Sequence, residues 1–152
     1  MIKRCGSGAG YTMSAVIIDG KKTAAEIRRR IAEKTEALKA NGVVPCLAVI
    51  LVGNNPASHS YVSAKRNALS EAGMKARSVQ FPENASEAGL LSLIRELNRD
   101  ESVHGILVQL PLPKHIDEKR ILFAISPEKD VDGFHPVNIG KLVIGSPSLL
   151  PC

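Results

Sequence analysis

Aromatic residues are nearly absent from this 152-residue sequence: there is no tryptophan, and three phenylalanines and two tyrosines make up 3% of it. Single-stranded nucleic acid is gripped by aromatic platforms set among basic residues, and those platforms are missing. The net charge of +5 admits an anionic ligand without naming one, and no nucleic-acid partner is expected. The densest cationic run, Arg28-Arg29-Arg30, falls in a helical pattern whose apolar positions lie elsewhere, and reads as a solvated helix surface. Cysteine is also scarce: Cys5, Cys46 and Cys152 lie too far apart for a zinc site or a redox pair. Cys46 opens an apolar run and is expected to be a small core residue. The four histidines (His59, His104, His115, His135) show no helical metal-binding spacing and form no triad pattern, so no metal is expected. No apolar run approaches the roughly 20 residues of a membrane span. Lys3 and Arg4 are followed by no apolar block of the secretory kind. The expectation is a cytoplasmic protein with no membrane partner.

What is present is 44% hydrophobic residue in a length suited to one folded domain. Residues 1–12 read as a disordered leader. Their alternating Gly6, Gly8 and Gly10 lack the preceding strand and following helix of a dinucleotide loop. Residues 13–152 read as the domain itself. Ile27, Ile31 and Leu38 recur at helical spacing over 23–40, with Thr23 as the cap and Gly42 as the stop. Cys46 to Val52 is an unbroken branched apolar run, as in a strand buried on both faces. Gly53-Asn54-Asn55-Pro56 ends it, and a helix is predicted over 58–72, then a strand over 76–81. Asn84 and Glu87 resemble a capping box opening a helix with Leu90, Leu91, Ile94 and Leu97 on one side. A third strand is predicted over 103–110, stopped by Pro111-Leu112-Pro113, and a short helix begins at Asp117. Such alternation predicts an α/β fold, an open, mainly parallel three-layer sheet with flanking helices. Ligands of such sheets lie at the carboxyl ends of the strands. Three segments are therefore candidates: 53–60, 109–113 and 127–138.

Each contains or adjoins chemistry that is ambiguous alone. Tyr61 and Lys65, four residues apart, share one helix face, though a helical lysine is usually just solvated. Gln109 ends an apolar strand and needs partners, either neighbouring backbone or a ligand. The prolines after it stiffen the loop and remove its donors, giving a rigid apolar wall suited to a flat heteroaromatic ligand. Asp130-Val131-Asp132-Gly133 reads equally as a plain turn or as a carboxylate offered to a ligand with paired N–H donors, such as a pterin.

Together the motifs resemble the bifunctional methylenetetrahydrofolate dehydrogenase/methenyltetrahydrofolate cyclohydrolase family, in its N-terminal catalytic domain. The matching text is Gly53-Asn54-Asn55-Pro56-Ala57-Ser58-His59-Ser60-Tyr61-Val62 with Lys65, then Gly105-Ile106-Leu107-Val108-Gln109-Leu110-Pro111-Leu112-Pro113, then Lys129-Asp130-Val131-Asp132-Gly133-Phe134, Asn138 and Gly140. The likeness implies one folate site for two steps of one-carbon metabolism. Methylenetetrahydrofolate is oxidised by NADP (or NAD), and the methenyl product is hydrolysed to formyltetrahydrofolate. It implies Lys65 as the proton carrier, Gln109 orienting it, Tyr61 packed on the folate and Asp132 holding the pterin edge, with Val62, Val108 and Leu110 lining the pocket. Family members continue into a dinucleotide-binding domain, whereas this sequence stops at Pro151-Cys152. The resemblance thus implies a domain truncated before its NAD(P)-binding partner, with no cofactor-binding residues and no dehydrogenase activity of its own. A folate-binding module without turnover is the alternative. The complete enzyme is expected to be a homodimer, and residues 137–150 are expected to be poorly anchored.

Overall fold

The apolar run Cys46–Val52 forms β1, the central strand, and its position explains its composition. In the computed structural model, which describes residues 19–151, β1 is flanked on both edges by parallel strands, β2 (Lys75–Phe81) and β3 (Gly105–Val108), in the order β2-β1-β3. The expected leader over 1–12, with Cys5 and Cys152, lies outside the described residues. Among the described residues there are also five helices: α1 (Gly20–Ala40), α2 (Pro56–Glu71), α3 (Glu87–Arg99), α4 (Glu118–Ala124) and α5 (Pro136–Val143). Register pairs Ala48 with Arg77 and with Ile106, so side chains at these levels share a face. On that face Ala48, Ile50, Val52, Ile106 and Val108 meet Leu90, Leu91, Ile94 and Leu97 of α3 and Ile121 of α4 in one buried core. On the other, Val49 and Leu51 face α2. Cys46, expected in the core, is only half-buried at its edge.

Helix starts differ from expectation because the capping side chain, not the apolar period, sets the first turn. Asp19 caps α1 by accepting from the Lys22 amide at 3.0 Å, while the Thr23 hydroxyl donates to the Asp19 carbonyl. Asn55 caps α2 by accepting from the Ala57 and Ser58 amides, and Pro56 occupies the first helical position, where its missing N–H costs nothing. Ser86, not Asn84, caps α3, accepting from the Gly89 amide at 3.2 Å. Glu87 is drawn away to the Asp117 amide and to Arg120. Ser86→Ala is expected to cost about 1 kcal/mol in urea denaturation, and Asn84→Ala less than about 0.5 kcal/mol. The reverse order would restore Asn84 as the cap.

α1 follows the predicted period, yet Ile27, Ile31 and Leu38 stay exposed, and its buried residue is Thr35. Arg29 and Arg30 pair with Glu33 and Glu26 one turn away in solvent, and Arg28 reaches Glu71 of α2. The cationic run is a helix surface. β3 is shorter than the predicted 103–110, but its ladder extends one bond further at each end, from the His104 amide to Cys46 and from the Gln109 amide to Ile50. Pro111 has no N–H to carry it on. Beyond β3 a single bridge joins Ile106 to Asp130. Within the 137–150 segment α5 forms, tied to the preceding turn through the buried Asn138, while Ile139, Leu142, Val143 and Ile144 are exposed.

Candidate functional site

α2 leaves the carboxyl end of β1, and Lys65 lies near its middle, half-buried rather than free in solvent. Its Nζ donates to Gln109 Oε1 at 3.2 Å. Gln109 is itself held. Its backbone amide bonds to Ile50, and its side-chain Nε2 donates to the Leu110 carbonyl at 2.8 Å. With the NH₂ occupied by a carbonyl, only the oxygen is left to face the amine. The glutamine thus bonds to neighbouring backbone, one of the two partners expected of it, and its oxygen meets Lys65.

The acids of Asp130-Val131-Asp132-Gly133 divide into two situations. Asp130 is 2% exposed, and its Oδ2 accepts from the His135 amide at 2.8 Å and from Asn138 Nδ2 at 3.0 Å. Asp132, two residues on, is half-buried and has no hydrogen-bond partner among the described residues. Burial pushes its carboxyl above the usual carboxylate range, the Lys65 ammonium opposes that push, and Asp130 adds to it. The amine thus meets the amide directly and feels the charge of the acid. Lys65 has an acid within electrostatic reach as well as the neutral glutamine that the sequence pointed to.

This environment has a stability consequence. Asp132 binds its proton more tightly folded than unfolded, so its contribution is full below the unfolded pKa and lost as pH rises through the folded one. At neutral pH the charged form is a cost. Asp132→Asn is expected to melt at a higher temperature than the parent at pH 7. The gap should shrink towards pH 3, where both side chains are neutral. A lower melting temperature at pH 7 would contradict the assignment of burial as the dominant effect.

The other expected residues are dispersed. Tyr61 is 63% exposed, one turn before Lys65. Val62 is half-buried and lines a separate hollow of about 220 Å³ with Val49, Leu51, His59, Ser63 and Arg66, between α2 and the strands. Val108 is 2% exposed and belongs to the core, because it shares the face of Ile106 that meets the helices. Leu110 is half-buried against that core.

The proline wall does border a cleft. A hollow of about 370 Å³ lies between Val52–Asn55, Glu83 and Pro111–Pro113; Lys65, Gln109 and Asp132 do not line it. Glu118 fixes this wall by accepting from the Leu112 amide at 2.9 Å. The sequence reading missed both Glu83 and Glu118, since an acid in a turn or at a helix start carries no signal of what it will face.

Among the described residues, the β1–α2 turn does not fit a dinucleotide pyrophosphate: its first free helix amides are taken by the Asn55 side chain, and Pro56 offers none. Among the described residues, no helix is long and apolar enough to cross a membrane.

Residues 18–132 match the family "Tetrahydrofolate dehydrogenase/cyclohydrolase, catalytic domain". The chain is 55% identical over 140 residues to the Bifunctional protein FolD of Bacillus subtilis (strain 168), covering 92% of this chain and 50% of that protein. It is 56% identical over 138 residues to the protein of the same name from an Exiguobacterium strain, with 91% and 50% covered. The chain thus spans about half the length of these curated relatives. Among solved structures, the bifunctional methylenetetrahydrofolate dehydrogenase/cyclohydrolase from Campylobacter jejuni superposes with a TM-score of 0.87 at 52% identity, covering 88% of this chain and 48% of that one. The Trypanosoma brucei dehydrogenase-cyclohydrolase, complexed with NADP cofactor and inhibitor, gives 0.82 at 40% identity, with 86% and 44% covered.

Proposed function

Because this chain belongs to the tetrahydrofolate dehydrogenase/cyclohydrolase family as its catalytic domain, we propose that it binds a tetrahydrofolate derivative beside Lys65, Gln109 and Asp132. There it hydrolyses the methenyl form to the formyl form. The observation that carries this reading is the 3.2 Å contact from Lys65 to a glutamine whose own amide group is anchored. Water adds to the electron-poor methenyl carbon, and the Lys65 amine removes a proton from that water. The carbon–nitrogen bond then opens as the new hydroxyl gives up its proton to solvent and becomes the formyl carbonyl, and the same lysine returns its proton to the departing nitrogen. Net, the cationic methenyl compound and water give the neutral formyl compound and one proton. Gln109 holds the amine in line by a neutral contact. Asp132, whose carboxyl has no partner among the described residues, accepts from the N–H donors along the pterin edge, as a carboxylate is suited to do. Exposed Tyr61 offers a ring face for the flat part of the ligand.

The oxidation step needs NADP or NAD, and this chain's residues are proposed to supply only the folate side of it. Calorimetry with 5-formyltetrahydrofolate and the absorbance decay of 5,10-methenyltetrahydrofolate test the reading on the 152-residue chain. Binding with hydrolysis above the buffer rate is the expected result. Binding without hydrolysis would make the chain a folate-binding module, and absence of binding would remove the folate assignment altogether.

A further inference from the structure

Among the described residues nothing hydrogen-bonds to Asp132, and its place follows the turn that carries it. That turn is closed by one carboxamide. Asn138, 3% exposed, donates from Nδ2 both to the Pro127 carbonyl at 2.9 Å and to Asp130 Oδ2 at 3.0 Å. A single NH₂ therefore ties the start of the 127–138 segment to its end and also to the buried acid two residues before Asp132. The same Asp130 oxygen takes the His135 amide, and the Asp130 carbonyl takes the Gly133 amide at 3.2 Å, so Asp132 is spanned on both sides. A second tie comes from 148–151. The Ser148 hydroxyl donates to the Asn138 carbonyl at 3.0 Å. The backbone there crosses Gly133 so closely that a Cβ on it would lie 2.8 Å from the Leu149 oxygen.

We propose that Asn138 is a positioning residue for Asp132, acting through Asp130, and that Ser148 links the 148–151 segment to the same clasp. The inference rests on the folate reading for its functional consequence, but not for its structural one. The buried acid and amide exist to fix a neighbour: a buried carboxyl satisfied only by neutral amides adds little net stability over an apolar core, yet it specifies one arrangement of the turn. Charged groups facing Asp132 are Lys65 from α2 and Asp130 from its own turn, and both would change their influence if the turn shifted.

The test uses the 152-residue chain labelled with ¹³C at aspartate carboxyls, followed by NMR titration, together with the affinity for 5-formyltetrahydrofolate. In Asn138→Ala the Asp132 carboxyl should titrate closer to an ordinary carboxylate as the turn opens to water. Affinity should fall about tenfold or more, as expected when a binding group is misplaced by a fraction of an ångström to an ångström. Ile94→Val, a core change in α3, should lower stability without moving either reading. Should Asn138→Ala not fold, Ser148→Ala, which removes one hydroxyl, should show the same titration change with an affinity loss of about twofold to fivefold. An unchanged Asp132 titration in a folded variant overturns the proposal. If the parent chain fails to bind the folate probe, the functional reading falls, but the titration still decides whether Asn138 places Asp132.

Discussion

Lys65→Met and Lys65→Arg are both expected to slow hydrolysis of 5,10-methenyltetrahydrofolate by about 10²–10⁴-fold, the usual range for losing a positioned acid–base group. The pair separates two explanations for the lysine. If its role were to supply positive charge beside Asp132, arginine would serve, since a guanidinium keeps its charge under all ordinary conditions. If its role is to carry a proton, arginine fails for that same reason. A cationic ligand beside an amine favours the amine's neutral form, and the methenyl group is such a ligand. Neither variant should unfold the domain, because Lys65 is only half-buried and its one hydrogen bond goes to a side chain. Absorbance decay gives the rate, and urea denaturation confirms the fold. Hydrolysis by Lys65→Arg within a few-fold of the parent would dismiss the proton-carrier role.

Gly105→Val is expected to destabilise the domain by about 3 kcal/mol or more, at the upper end of what overpacking a core costs. Strand propensity argues the opposite, since valine is favoured and glycine disfavoured in strands. Packing decides here. A Cβ at Gly105 would lie 2.5 Å from Val131 Cγ1, closer than real contacts come, and 3.1 Å from Leu47 Cδ1, which is tight. Val131 sits between the two acids, and Ile106 is bridged to Asp130, so the displacement is delivered to the turn that presents Asp132. Loss of folate affinity should therefore exceed what the unfolded fraction accounts for. Urea denaturation and calorimetry on one preparation measure both. A gain in stability would show that the strand and turn can separate without penalty.

Much of the architecture was legible because the core elements repeat a simple pattern. The run Cys46–Val52 has no polar position, and only a strand covered on both faces and both edges accepts that. Leu90, Leu91, Ile94 and Leu97 share one helix face and are all buried. The candidate site was legible in part: Lys65 and Gln109, 44 positions apart, meet as the motif suggested. The division of labour within Asp130-Val131-Asp132-Gly133 was not, since two identical residues two positions apart differ only in what the rest of the chain brings to them. Asn138 supplies Asp130 with a partner, and among the described residues no comparable one reaches Asp132. Nor was the exposure of Ile27, Ile31 and Leu38 legible, because a helical period says that a helix has an apolar stripe and not what covers it.

The order of residues alone determined the three strands, the first four helices and that the strands run parallel, because those follow from local periodicity and from connections that alternate strand with helix. It also marked three loops as candidates, but not the helix α5. Tertiary structure decided which side chains of those loops stay open and which are spent holding the loop in place. Hydrogen bonds and burial between residues far apart in sequence are set by the relative placement of whole elements, and a pattern read along the chain has no coordinate for that.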